Sequence, residues 1–166
     1  KGTPEHMIVD DVIAELEQEL EAIWLVIPDE VAALGRGEVP RGTGARGQYL
    51  STLMFAEGEA RTLADEMLWG LLQVSELPNT DLGTLQAVIT QIIGYKADFF
   101  DFVGLPRAAS LIHRYVQAAT EVTDLGEFRR LTSAAISYAN RLHMCVDAVY
   151  PWALGNAFPR RDRAVA

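Results

Sequence analysis

Histidine is the side chain whose charge changes near neutral pH, so the search for acid–base chemistry starts there. Of three histidines, His6 lies directly before Met7 in a run (residues 1–6) that reads as a tag remnant, which leaves His113 and His143. Asn140, His143 and Asp147 recur at steps of three and four, a polar stripe on one helix face beside Ile136, Ala139 and Val146. Asp147 is placed to hold the His143 imidazole for proton transfer. Upstream, Glu57 falls on the apolar run Leu53, Ala60, Ala64, Met67 and Leu71, where an ionised carboxylate is costly unless paired. Tyr95 falls likewise between Ile92 and Phe99. If these three faces meet, Glu57, Tyr95, Asn140, His143 and Asp147 line one polar pocket for a small molecule. Separate hydrogen bonds within the core would satisfy the same residues, and the sequence leaves both readings open.

Other constellations carry less. Gly42, Gly44 and Gly47 match a dinucleotide-binding spacing but follow a loop and no strand, so that fold is excluded. Arg36, Arg41 and Arg46 surround the same glycines ahead of a helix, where free N–H groups attract anions. The segment is either an anion-binding loop, a lid or docking loop, or a solvated turn. The Glu-x-x-His spacing of di-metal bundles is absent, because Ser110 and Asn140 stand three residues before His113 and His143. No metal and no cofactor are expected. The single cysteine, Cys145, lies between Leu142 and Val149 and is expected to pack as a small hydrophobe.

The elements that must position these residues are helical. Apolar residues recur at steps of three and four through nearly the whole chain, and no stretch alternates with period two. Helices are predicted at about 9–27, 48–74, 82–103, 107–122 and 125–150, joined mostly by short turns. Pro28 and Pro151 are read as stops, Asp81 or Thr80 as one N-cap and Asp124 as another, and Glu127 completes a capping box. The expected fold is therefore all-α: a five-helix, mostly antiparallel bundle in a single domain over residues 7–159, with 160–166 a flexible basic tail. Length agrees, since 166 residues suit one domain. With 23 acidic against 14 basic residues and net charge −9, a basic face for nucleic acid is lacking, and no nucleic-acid partner is expected. No apolar run is long enough to span a membrane. Without a signal-like segment after Met7, the cytoplasm is the default compartment. Eight of the acids lie between Met7 and Glu30, a solvated face or a dock for a basic partner. Trp24, Tyr150, Trp152 and Phe158 are candidate interface anchors, the last three doubling as a cap over the bundle end.

Several of these features occur together in one family. Trp24 with Pro28, the Gly47-Gln-Tyr49 start of helix two, residues 55–59 (Phe-Ala-Glu-Gly-Glu), residues 95–100 (Tyr-Lys-Ala-Asp-Phe-Phe), residues 141–144 (Arg-Leu-His-Met), and Tyr150-Pro-Trp152 through Arg160 resemble the C-terminal helical-bundle domain of cucumopine synthase. The resemblance covers roughly residues 8–160, through diffuse helix patterns and no catalytic signature. Cucumopine synthase joins histidine to 2-oxoglutarate in a Pictet–Spengler-like cyclisation, and its other domain is cyclophilin-like. Because the family's chemistry is associated with that β-rich part, the resemblance carries no catalytic residue onto this chain. It implies a free-standing bundle that assembles with itself or with a separate cyclophilin-like subunit.

The leading expectation is thus a non-catalytic assembly module, a homo-oligomer or the partner of a cyclophilin-like protein. The alternative is a small-molecule-binding protein or enzyme with its polar pocket inside the bundle and the arginine loop receiving an anionic group.

Overall fold

The structure is a computed structural model that describes residues 4–23, 59–77 and 81–165, with side chains described as far as Asp147. Among these residues the chain is all-α: α1 (Pro4–Ala22), α2 (Glu59–Ser75), α3 (Leu82–Ile92), α4 (Lys96–Phe102), α5 (Pro106–Glu121) and α6 (Leu125–Val165). None of these helices is long and apolar enough to cross a membrane. The long α6 is the organising element, packed along α1 and α2, while α5 packs on α1, α3, α4 and α6.

Each helix buries the stripe its spacing dictates. Val9, Val12 and Leu16 of α1 meet Phe128, Leu131, Ala135, Tyr138 and Leu142 of α6 and Leu111, Ile112 and Tyr115 of α5 in one apolar cluster. Ala60, Ala64, Met67, Leu71 and Val74 supply the α2 face. Cys145 is buried among these side chains, as its position on the apolar side predicts. A buried polar pair, Tyr115 Oη with Thr132 Oγ1 at 2.9 Å, links α5 to α6. Burial holds the Tyr115 hydroxyl well above the usual tyrosine range, so the phenol keeps its proton. Gln86 of α3 donates to the carbonyls of Ala119 and Val122, answering two backbone acceptors at the C-terminus of α5.

Three boundaries differ from expectation. The stretch read as one helix over 82–103 is made in two pieces, because the chain turns at 93–95. A Cβ on Gly94 would lie 2.6 Å from the Thr90 carbonyl oxygen, a contact that only glycine avoids. Pro151 does not end the last helix, and residues 160–165 are helical where a loose tail was expected. Proline removes one N–H but keeps φ at a helical value, so the backbone can continue past it at the loss of one bond. Residues 4–6, set aside from the bundle by the sequence, form the first turn of α1. By contrast Gly104, at φ 91°, makes the expected break before α5.

The acidic first helix docks arginines of its own chain. Asp10 accepts from Arg130 at 2.5 Å, Glu15 pairs with Arg114 at 2.7 Å, and Glu19 takes a two-pronged grip from Arg107 at 2.9 and 3.0 Å. Glu5 accepts from the Thr123 backbone N–H at 2.8 Å. The sequence offered a solvated face or a separate basic partner. In the structure Asp10, Glu15 and Glu19 pair with arginines of α5 and α6, while Asp11, Glu17 and Glu21 face solvent.

The Asp81 carboxylate caps α3, accepting the Thr84 backbone N–H at 2.7 Å, and that bond holds its carboxyl below the usual range. A depressed carboxyl contributes stability above its unfolded value, and the contribution is lost as pH falls through the folded one. The Asp81→Asn variant is therefore expected to lose less stability than the parent between about pH 5 and pH 3, the range around the ordinary aspartate value. Urea titrations at the two pH values measure the difference.

Candidate functional site

The polar stripe of α6 finds its partners on α2, where Arg61, Asp65 and Trp69 follow one another at steps of four away from the buried seam. His143 Nε2 hydrogen-bonds Asp65 Oδ1, and Nδ1 faces Asp147 Oδ2 at 3.7 Å. Arg61 Nε donates to Asp147 Oδ1 at 2.9 Å. An ionised carboxylate only accepts, so Nε2 carries its proton toward Asp65. The arrangement is an imidazole held between two carboxylates, one of them fixed by an arginine, at a half-buried position. It can perform proton transfer on a group brought to it from solvent.

Beside this cluster, between α2 and the α3–α4 turn, lies an open groove of about 380 Å³ whose walls include Asp65, Glu66, Trp69, Ile92, Tyr95 and Lys96. Lys96 Nζ donates to Tyr95 Oη at 3.1 Å and to Glu66 Oε2 at 3.4 Å, and lies 4.7 Å from the centre of the Tyr95 ring. The Tyr95 ring meets Phe99 edge-on, with centroids 5.8 Å apart. Asp65 belongs to both places, lining the groove and holding His143. Two larger open depressions, about 480 and 540 Å³, lie between α1 and α6 and between α1 and α5, and their arginines, Arg130 and Arg107, are already engaged by Asp10 and Glu19.

The predicted pocket inside the bundle is thus corrected in its parts. His143 and Asp147 come together as the spacing requires, but on the flank of the bundle. Tyr95 lies on the 93–95 turn and is exposed together with Phe99, because the buried seam here runs through Ile89, Ile93, Ala97 and Phe100 and not through Ile92, Tyr95 and Phe99. Asn140 is exposed and donates to Met144 Sδ at 3.9 Å, taking no part in the cluster. Glu57, Arg36, Arg41, Arg46 and Trp24 lie outside the described residues. Tyr150, Trp152 and Phe158 lie on the α6 backbone beyond the last described side chain. Sequence reasoning missed the roles of Arg61, Asp65, Trp69 and Lys96. The signal was the spacing of 61, 65 and 69, which repeats the stripe of α6 on a second helix. Among the described residues no three histidine, cysteine or acidic side chains gather closely enough to hold a metal ion.

Comparison with known proteins gives this geometry a family. No curated protein matches the chain. The solved structure of McbB in complex with tryptophan is similar to it with a TM-score of 0.64 and 26% sequence identity, over 95% of this chain and 50% of that one. The chain therefore spans about half the length of the McbB chain. The family model described as the cucumopine synthase C-terminal helical bundle domain matches residues 9–148. A synthase family and a neighbour that holds an amino acid overturn the expectation of a non-catalytic assembly module. With most of its length matched, the chain belongs to the family of cucumopine synthase C-terminal helical bundle domains.

Proposed function

We propose that this chain is the helical part of an enzyme that condenses an amino acid with a carbonyl compound. The observation that carries the reading is the likeness, over 95% of the chain, to half of a structure that holds tryptophan. A condensation of the cucumopine type joins an amine to a carbonyl with loss of water. A ring carbon then attacks the imine carbon, and the proton on that ring carbon leaves. His143 is the group of this chain suited to take the proton through Nδ1, with Asp65 and Asp147 fixing the imidazole and Arg61 fixing Asp147. We place the remainder of the catalytic site on a cyclophilin-like partner, joined to this chain or separate, or on a second copy. Half-length coverage of McbB supports that placement. The cytoplasm, where free amino acids and 2-oxo acids coexist, is the fitting compartment.

Native mass spectrometry of the chain with L-tryptophan and with L-histidine tests the reading. One amino acid bound per chain is expected, with a dissociation constant between about 1 µM and 1 mM. In the assembled enzyme, His143→Gln is expected to slow formation of a product of mass amino acid plus oxo acid minus water by about 10²–10⁴-fold, with amino-acid binding unchanged. Failure of both amino acids to bind in that range, checked by calorimetry, overturns the reading.

A further inference from the structure

The groove holds a feature that proton transfer at His143 does not use, a buried cation between exposed rings. Lys96 is only 4% exposed, yet it lines the groove. A buried ammonium is costly unless its charge is met, and here it is met by a long contact to Glu66, the Tyr95 hydroxyl and the Tyr95 ring. An ammonium has three N–H donors, and among the described residues Glu66 and Tyr95 supply two acceptors. Trp69 stands on the α2 wall with 64% of its surface in water, a large ring left out of the core beside that cation. Exposed rings flanking a fixed charge are the makings of a recognition site, and about 380 Å³ lies within the usual range for small-ligand sites.

The geometry points to this groove as the subsite for a planar aromatic ring bearing a carboxylate, the ring lying between Trp69 and Tyr95 and the carboxylate on Lys96 Nζ. An amine on the same ligand meets the carboxylates of Asp65 and Glu66. Asp65 also holds His143, so the docked amine lies one carboxylate away from the imidazole. The inference deepens the proposed function and rests on it in taking the ligand to be the enzyme's amino acid. The ring and the carboxylate follow from the groove alone.

Calorimetry of the 166-residue chain with three probes decides it: L-tryptophan, indole-3-propionate, which lacks the amine, and tryptamine, which lacks the carboxylate. Lys96→Met is expected to weaken tryptophan and indole-3-propionate about tenfold, the loss of one charge-assisted hydrogen bond, and to leave tryptamine unchanged. Trp69→Ala is expected to weaken all three by about threefold to tenfold through the lost ring contact. Trp69 is a surface position, so this variant tests the groove even if Lys96→Met does not fold. Tryptophan binding that survives Trp69→Ala, together with Lys96→Met where that variant folds, overturns the groove and leaves the amino-acid reading standing. Failure of all three probes to bind also overturns the groove, and L-histidine binding then decides the amino-acid reading.

Discussion

Phe100→Ala is expected to destabilise the protein by about 3–5 kcal/mol, the largest effect of any single truncation near the groove. Phe100 is the anchor of α4, 0% exposed and enclosed by the common core. Its removal forfeits the transfer of a full ring from water and leaves a cavity that the surrounding helices can close only in part. The consequence reaches function because α4 is seven residues long, too short to be stable without its packing. Lys96 is its first residue and Tyr95 immediately precedes it, so both lose their fixed positions when the anchor goes. Weakened tryptophan binding should therefore accompany the loss of stability. Phe102→Ala is the control. Phe102 is on the same short helix but 84% exposed, and its truncation is expected to change stability by no more than about 0.5 kcal/mol. Chemical denaturation of the two variants measures the contrast, and equal losses would mean that α4 is not held through Phe100.

How far the sequence discloses this molecule depends on whether the information is local. Helix faces are local, because a step of three or four residues fixes which side chains share a stripe. Thus Val9, Val12 and Leu16, or Ala60, Ala64 and Met67, lie in the core where their spacing put them. Caps are local too, and Asp81 and Asp124 each accept the backbone N–H three residues on. The turn at 93–95 was hidden because Ile92, Ile93, Ala97 and Phe100 keep the apolar pattern going across it, with Gly94 the sole mark of the break. The seam expected through Ile92, Tyr95 and Phe99 is one residue out of step with the buried one, which runs through Ile93, Ala97 and Phe100. The candidate site shows the same division. His143 and Asp147 are paired within one helix and were legible from their spacing. Asp65 and Arg61 reach them from α2, and no spacing within one segment encodes which helix lies opposite. For the same reason nothing around Lys96 in the sequence marks its burial against Glu66 and Tyr95. Pro151 misled in the other direction, since a residue that disfavours a helix is read as one that must end it.

Arg107→Ala is expected to cost about 2–4 kcal/mol, far more than an exposed ion pair would. The reason lies in the asymmetry of the pair. Glu19 is 6% exposed, whereas Arg107 reaches it from the start of α5 with about half of its side chain in water. The guanidinium grips both carboxylate oxygens, at 2.9 and 3.0 Å, a fork that lysine or a water molecule cannot reproduce. Truncating Arg107 leaves the buried carboxylate without that grip, and the desolvation of its charge then stands against folding. Truncating an exposed pair such as Arg61–Asp147 forfeits only a screened attraction, about 0–1 kcal/mol. The same reasoning predicts a rescue. Adding Glu19→Gln to Arg107→Ala should recover part of the loss, because a neutral amide is less costly to bury than a carboxylate that has lost its guanidinium grip. Urea denaturation of the two single variants and the double variant forms the test. A double variant no more stable than Arg107→Ala alone would assign the loss to the packing of the arginine stem against α1, and the buried charge would carry none of it.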